Sequence, residues 1–147
     1  MSMFEIIIKK EIHAPSSTVW SVICNTADYY QWNSFVPSCD STFKVGSPII
    51  MRVRMFPAFV FRQKETIYAN EAETLMEYGV RLPVLLRSTR QHVLNKVDEQ
   101  TTAYESHFRI EGLLAPLVTF VLGRRLKSGF AAMTEGLVSF SEQQHQA

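Results

Sequence analysis

The chain has 147 residues, of which 46% are hydrophobic and 20% are charged, a composition typical of one folded domain that needs neither disulfides nor a metal for stability. Its 15 Lys and Arg residues are nearly balanced by 14 Asp and Glu residues, so the chain lacks the basic excess typical of nucleic-acid-binding proteins. We therefore predict a single domain over residues 1–147 that binds no nucleic acid.

The sequence shows neither the pattern of a secretory leader nor an apolar run long enough for a transmembrane helix. The segment Met1–Glu5 already contains an acidic residue and shows no basic region followed by an apolar stretch, which argues against a secretory leader. The longest apolar run, residues 113–122, contains Pro116 and is about half as long as the roughly 20 residues of a transmembrane helix. Cys24 and Cys39 have no CxxC spacing and no disulfide pattern. We expect a cytoplasmic protein with two unlinked thiols and no transmembrane segment.

The first elements are predicted to be one strand and two short helices. Over residues 4–12 four apolar side chains share one parity, and Glu5, Lys9 and Glu11 occupy the other, which is the two-residue period of a half-buried strand. The apolar members are Phe4, Ile6, Ile8 and Ile12. Residues 14–18 then supply a turn and a candidate N-cap for a short helix over residues 19–23. A second helical turn is predicted at residues 27–31.

The middle of the chain is predicted to be an antiparallel meander. Between residues 38 and 110, strand-like runs at 49–55, 59–69, 75–82, 88–97 and 101–110 are separated by short polar turns. In the first of these runs, apolar residues alternate with Arg52 and Arg54, which we expect to face water. Helices do not alternate with these strands, so a doubly wound parallel sheet is disfavoured.

The last thirty or so residues are predicted to form one long amphipathic helix. Its apolar stripe consists of Leu122, Leu126, Phe130, Met133, Leu137 and Phe140, spaced four and three apart. Gly129 and Gly136 lie near this stripe, and each costs about 1 kcal/mol of helix propensity relative to Ala, so we expect a close backbone approach or a cavity there. Residues 141–147 are predicted to be a frayed polar tail.

Two groups of residues resemble segments of the START-related helix-grip superfamily. The first is Ile-His-Ala-Pro at residues 12–15, followed by Val19-Trp20 and by Asp-Tyr-Tyr-Gln-Trp-Asn-Ser-Phe at residues 28–35; the second is Phe-Arg-Ile-Glu-Gly-Leu-Leu-Ala-Pro at residues 108–116. Within that superfamily the sequence is most similar to the polyketide cyclase/dehydrase and lipid-transport-like group. The resemblance implies an α+β helix-grip fold, in which a curved antiparallel sheet of about six or seven strands wraps around a long C-terminal helix and two short helices follow the first strand.

The resemblance also implies a cavity between the helix and the sheet for a mainly apolar small molecule. If the apolar parity of each strand and the helix stripe face it, the candidate lining residues are Met51, Val53, Met55, Phe61, Ile67, Met76, Tyr78, Val80, Tyr104, Phe108, Leu122, Leu126, Phe130 and Met133. For each of these residues, packing in a solid core is the alternative interpretation. Trp32, which belongs to the first motif, is either a gate beside the cavity entrance or a structural plug.

Polar residues on the predicted strands provide weak candidates for proton transfer. These candidates are Glu65, His92, Tyr78 and Tyr104. Glu65 shares the parity of Phe61 and Ile67, so it would face inward, where burial without a partner raises the pKa of a carboxyl; an edge position or an ion pair with an arginine is the alternative. The strand of His92 mixes polar and apolar residues, so its direction stays open. His107 is expected on a solvated face.

Signatures of other chemistries are missing from the sequence. It contains no phosphate-binding loop, no paired Cys/His metal spacing and no nucleophile elbow, so we expect neither a metal nor another cofactor. Arg124, Arg125 and Lys127 lie close in sequence to the apolar run 113–122. This cluster is interpreted either as a docking site for an anionic surface or as a solvated helix face.

From these observations we predict that the protein is a carrier or sensor of a hydrophobic small molecule, such as a lipid, polyketide or isoprenoid. The 10 Phe, 5 Tyr and 2 Trp residues provide more apolar bulk than a minimal core needs. The first alternative is a cyclase or dehydratase that uses acid/base residues in the same cavity, and the second is a protein-interaction module with a vestigial pocket. Transient membrane contact and a monomeric or homodimeric state are both left open.

Overall fold

The computed structural model describes residues 3–147. In chain order its elements are β1 (Met3–Ile12), α1 (Ser16–Cys24), a 3-10 turn (Thr26–Asp28), α2 (Tyr29–Trp32), β2 (Ser38–Asp40), β3 (Pro48–Phe56), β4 (Phe59–Glu71), β5 (Leu75–Leu82), β6 (Leu86–Asp98), β7 (Thr101–Glu111) and α3 (Ala115–Gln146). Met1 and Ser2, part of the segment inspected for a leader, lie outside the described residues. That residues 1–147 form one domain stays a prediction.

The seven strands form one antiparallel sheet in the order β1-β7-β6-β5-β4-β3-β2. Consecutive strands from β2 to β7 are neighbours, as the short polar turns between them require, so the predicted meander is confirmed. α1 and α2 carry the chain from β1 at one edge to β2 at the other. Register shifts between Val53 and Phe56, Ile67 and Ala69, and Lys96 and Asp98 interrupt the ladders, and such bulges increase the bend of a sheet.

α3 packs on this sheet through the predicted apolar stripe. Leu126, Phe130, Met133 and Leu137 are buried, whereas Leu122 and Phe140, at the two ends of the stripe, are half-buried. The curved sheet, the long C-terminal helix and the two short helices after β1 together confirm the predicted helix-grip fold.

The two helix glycines mark where another segment lies against α3. A methyl group on Gly136 would overlap the backbone carbonyl of Trp32, and one on Gly129 would overlap the ring of Phe35. The expected close backbone approach is therefore confirmed at Gly136, whereas the neighbour of Gly129 is a side chain, the ring of Phe35. The chain after α2 rests on a helix surface from which side chains are absent.

Two local predictions were wrong. Residues 141–147 were predicted to be a frayed tail, but α3 continues to Gln146, Ser141 is fully buried, and Glu142 accepts a hydrogen bond from the His13 backbone nitrogen at 2.9 Å. Tertiary anchoring outweighs the polar composition of this segment. The candidate N-cap is also absent: α1 starts after Pro15 without a side-chain cap, and the Ser16 hydroxyl instead donates to Glu73 at 3.0 Å.

Candidate functional site

A cavity of about 250 Å³ lies between α3 and the concave face of the sheet. Its walls come from the segment after α2, from β3 to β7 and from the first half of α3. They consist of Phe35, Val36, Met51, Val53, Met55, Phe61, Gln63, Glu65, Tyr78, Val80, Leu86, Ser88, Arg90, Phe108, Ile110, Val118, Leu122, Leu126, Phe130 and Met133. Most of this wall is apolar, with a few polar groups on β4, β5 and β6, as in many small-molecule sites.

Most of the apolar residues proposed for the lining lie on this wall. They are Met51, Val53, Met55, Phe61, Tyr78, Val80, Phe108, Leu122, Leu126, Phe130 and Met133. The remaining candidates, Trp32, Ile67, Met76 and Tyr104, lie outside the wall and are buried in the core. Ile67 and Met76 share the inward parity, but they lie where the concave face is filled by side chains. The Trp32 carbonyl rests on Gly136, so Trp32 packs as part of the core rather than at an entrance.

Burial along the wall shows which end of the cavity is closed. Tyr78, Arg90 and Met133 are almost fully buried and form the closed end. Phe61, Val80, Leu86, Val118 and Leu122 are only half-buried and form the rim. The mouth therefore lies between the β3–β4 hairpin, the β5–β6 hairpin and the start of α3.

Arg90, on β6, is the one cation that residues 3–147 place in the cavity wall, and it is 2% exposed. Its Nη1 donates to Ser106 Oγ at 2.7 Å and to the Gln91 carbonyl at 3.1 Å, and the guanidinium lies 4.7 Å from the centre of the Phe130 ring. Across residues 3–147, no carboxylate forms an ion pair with it, and its buried Nε has no hydrogen-bond partner. Nη1 also lies 3.4 Å from the His107 carbonyl oxygen, and Nη2 lies 3.5 Å from Met133 Sδ. A buried charge without a counter-charge is costly, so an anionic group that reached this guanidinium would offset part of that cost.

Among the described residues of the cavity wall, Glu65, on β4, is the one that carries a carboxyl group. Gln63 Nε2 donates to its Oε2 at 3.2 Å. Burial raises the pKa of Glu65, while the Gln63 hydrogen bond and the positive charge of Arg90 oppose that rise. The carboxyl therefore holds its proton to a higher pH than an exposed glutamate does. Of the four proton-transfer candidates, Glu65 and Tyr78 reach the cavity.

His92 and Tyr104 lie behind the wall, in a buried chain of polar groups. The Tyr104 hydroxyl is 2.6 Å from His92 Nδ1, and the Tyr78 hydroxyl is 3.4 Å from His92 Nε2. Burial lowers the pKa of His92 well below its ordinary value, and the nearby charge of Arg90 lowers it further. The imidazole is therefore neutral, with one ring nitrogen donating and the other accepting. Tyr78 connects this chain to the cavity.

Solved structures share the architecture that holds this cavity. The Zhui aromatase/cyclase from Streptomyces sp. R1128 superposes with a TM-score of 0.79 at 11% identity, over 97% of this chain and 96% of that one. A START superfamily protein from Mycobacterium smegmatis gives 0.74 at 14% identity, over 95% and 98%. The chain has the fold of the START-related superfamily. Norcoclaurine synthase from Thalictrum flavum shares this START-related fold, with a TM-score of 0.67 at 14% identity over 95% and 86%. No family profile and no curated protein matches the sequence.

The cavity wall contains one charged residue, Arg90, that sequence reasoning missed. Arg90 shares the parity of His92 and Leu94, so alternation along β6 would have turned it inward. A charged residue in a strand is ordinarily assigned to the solvent face, and no sequence pattern indicated that its counter-charge is absent. Arg52 and Arg54 are exposed, as predicted. His107, expected on a solvated face, is half-buried, and its Nε2 lies 2.8 Å from Glu105 Oε1.

Metal-binding groups and membrane-spanning helices are the other features that could indicate a function. Within residues 3–147, no group of His, Cys, Asp or Glu side chains is arranged to hold a metal ion. No helix in that range has the length and apolar character needed to cross a membrane. The cavity with Arg90 and Glu65 is therefore the candidate functional site.

Burial of His92 predicts that the fold loses stability in mild acid. In an unfolded chain the imidazole takes up a proton near pH 6.5, but the folded protein resists this to a much lower pH. Below about pH 6.5 the unfolded state therefore binds more protons, and the free energy of unfolding falls by up to about 1.4 kcal/mol per pH unit. Urea unfolding at a series of pH values measures this slope.

The His92 slope is isolated with a His92→Gln variant. Glu65 contributes with the opposite sign, because its raised pKa stabilises the fold as the carboxyl becomes protonated, so the wild type and the variant must be compared at each pH. The variant should lose the part of the slope that begins near pH 6.5. His145→Gln, at the exposed end of α3, should leave the slope unchanged. An unchanged slope in His92→Gln would contradict the assignment.

Proposed function

We propose that this protein is a carrier or sensor that binds a mainly apolar small molecule, such as a lipid, polyketide or isoprenoid, in the cavity between α3 and the sheet. The observation that carries the proposal is the cavity itself, because a well-packed domain seldom leaves about 250 Å³ unfilled beside a polar group. The START-related fold supports the same conclusion. We also propose a cytoplasmic location, which the two free cysteines, Cys24 and Cys39, support.

Arg90 narrows the ligand class within this proposal. The guanidinium lies at the closed end, and a molecule with an apolar body and one acidic group would place that group against it. Charge-assisted hydrogen bonds to arginine are stronger than neutral ones and need no rearrangement of the protein here. The apolar remainder of the ligand would extend past Phe130 and Phe108 towards the rim. The ligand proposed is therefore an amphiphile with a carboxylate, phenolate or comparable acidic end.

A cyclase or dehydratase activity is the second candidate, and Glu65 is the observation in its favour. As a carboxylate, Glu65 would accept a proton from a carbon next to a carbonyl, and the electron pair of the broken C–H bond would pass to the carbonyl oxygen. Arg90 would stabilise the resulting enolate. Tyr78 would orient the substrate. A solvent-accessible cavity of this size weighs against the third hypothesis, a protein-interaction module with a vestigial pocket.

Filling the cavity is expected to remove ligand binding. Val53 lies on β3 with its side chain in the wall, and Arg52 lies beside it on the exposed face of the same strand. In Val53→Phe the added ring would occupy ligand space, so affinity for an uncharged fluorophore such as N-phenyl-1-naphthylamine should fall about tenfold or more, equivalent to about 1.4 kcal/mol. Fluorescence titration measures this change.

The matched control is Arg52→Phe, which adds the same ring to the opposite face and should leave the affinity unchanged. Leu126→Phe, on α3, is a second cavity-filling variant in case Val53→Phe is unstable. Native mass spectrometry of the wild-type protein as purified would also identify a retained small molecule. Equal fluorophore affinity in all three variants would contradict a binding cavity.

A further inference from the structure

Exposed apolar side chains flank the mouth of the cavity at the β5–β6 turn and at the start of α3, and we call this group the apical patch. The patch consists of Val84, Leu85, Leu113, Leu117, Phe120 and Val121. Phe120 is 90% exposed and Val84 is 75% exposed. Isolated exposed apolar residues are ordinary on a protein surface, but a contiguous group of this kind marks an interaction site.

The fold holds the two halves of the apical patch together. The Leu113 backbone nitrogen donates to the Val84 carbonyl at 3.0 Å, and the Leu114 nitrogen donates to the Leu85 carbonyl at 2.9 Å. The β5–β6 turn is thus fastened to the segment that leads into α3. On α3 itself, Leu117, Phe120 and Val121 are three and four residues apart and share one face. The patch is therefore a continuous surface.

The apical patch also adjoins the cavity. Leu86, Val118 and Leu122 belong to the rim of the cavity, and each directly follows a patch residue in the sequence. A surface that covered the patch would therefore also cover the mouth. Neither the core nor the cavity wall requires the side chain of Phe120, because almost all of it projects into solvent.

Basic residues border the apical patch on α3. Arg124 lies four residues after Phe120 and three after Val121, and Arg125 and Lys127 follow; all three are exposed. The Arg125 guanidinium lies 4.6 Å from the centre of the Phe56 ring, and the Lys127 ammonium lies 5.8 Å from that of Phe4. Residues 112–134 contain no Asp or Glu. Arg87 is exposed beside the β5–β6 turn, and the nearby acid, Glu111, is 3.7 Å from the Arg109 guanidinium. An apolar surface with a basic border is complementary to an anionic lipid bilayer.

We propose that the apical patch docks the protein on anionic membranes, with Phe120 and its neighbours inserted between lipid headgroups and the mouth of the cavity facing the lipid. Arg124 contacts the anionic headgroups, and Arg125 and Lys127 add positive charge beside this contact. This inference goes beyond the proposed ligand binding and does not depend on it, since the patch would dock whether or not the cavity is occupied. Together the two would let an apolar ligand pass between bilayer and cavity without crossing water.

The test is sedimentation of the full-length protein with vesicles of phosphatidylcholine, with and without phosphatidylserine. Wild-type protein should bind the mixed vesicles, less strongly at high salt and only weakly without phosphatidylserine. Phe120→Ser should reduce binding about tenfold or more, because a phenyl ring no longer leaves water. Arg124→Gln should reduce the preference for phosphatidylserine several-fold. Tyr30→Ser, which removes a 72% exposed aromatic residue on α2, is the matched control and should have no effect.

Three results would overturn membrane docking. One is the absence of wild-type binding to either vesicle. Another is equal vesicle binding by the wild type and Phe120→Ser. The third is a stable dimer in analytical ultracentrifugation that Phe120→Ser converts to a monomer, which would assign the patch to a second copy of the chain. Affinity for N-phenyl-1-naphthylamine should stay unchanged in Phe120→Ser, so failure of docking is distinguishable from failure of ligand binding.

Discussion

Replacing Arg90 with methionine is expected to stabilise the fold while removing affinity for an acidic ligand. The guanidinium is buried without a counter-charge, and methionine has a similar length and no charge to desolvate, so the free energy of unfolding should rise by about 1–3 kcal/mol. Loss of the hydrogen bond to Ser106 offsets part of this gain. Affinity for an acidic amphiphile should fall by about 10- to 100-fold, because charge-assisted hydrogen bonds contribute about 1.5–3 kcal/mol.

The experiment pairs two variants with two ligands. Urea unfolding measures stability, and titration calorimetry compares an aryl carboxylate with its methyl ester. In Arg90→Met only the carboxylate should lose affinity, because the ester offers no charge to the guanidinium. Arg87→Met, at an exposed position near the start of the same strand, should change neither stability nor affinity appreciably. A clear loss of stability in Arg90→Met would instead make Arg90 a structural support of β6 and β7.

A gain of stability together with a loss of binding would identify Arg90 as a residue retained for function. Natural proteins tolerate such a loss of stability where binding requires a preorganised polar group, because the ligand can then form its hydrogen bonds without rearrangement of the protein. The same logic applies to Glu65, whose burial raises its pKa next to a cation that does not pair with it. The two groups face one apolar cavity from β4 and β6.

Alternation along the strands was enough to predict which face of the sheet carries the site. On β3 the pattern placed Met51, Val53 and Met55 inward, and all three lie on the cavity wall. The parity of a residue predicts which face of the sheet its side chain occupies, but not whether the side chain reaches the cavity. Ile67 and Met76 also point inward, yet they lie where side chains fill the concave face. That distinction depends on the distance from α3, which a local pattern does not contain.

Long-range contacts account for the other differences between sequence and structure. The polar end of the chain is helical because Ser141 is buried and Glu142 bonds the His13 nitrogen, a contact between residues 129 positions apart. His92 is buried although its strand is mixed, because Tyr78 and Tyr104, on the neighbouring strands, place hydroxyls near both ring nitrogens. A buried polar group can find its hydrogen-bond partners on distant segments of the chain, and a periodic pattern within one strand does not predict such partners.

Gly136→Ala is expected to lower the stability of the fold and the affinity of the cavity together. The added methyl group would overlap the Trp32 carbonyl, and overpacking of this kind should cost about 2 kcal/mol or more, beyond the gain of about 1 kcal/mol in helix propensity. The melting temperature should fall by about 5 °C or more. Because Phe35 and Val36 follow Trp32 and line the cavity, displacement of this segment would also distort the wall.

Gly123→Ala separates this steric effect from helix propensity. Gly123 lies on the same helix, but a methyl group there would meet its nearest neighbour, Thr119 Cγ2, at 3.6 Å, which is ordinary contact. This variant should therefore be as stable as the wild type or more stable, by up to about 1 kcal/mol. Thermal unfolding and fluorophore titration of both variants give the comparison. If Gly136→Ala gained stability as Gly123→Ala does, the Trp32 carbonyl would not lie in close contact with Gly136, and the segment after α2 would not be held against the helix there.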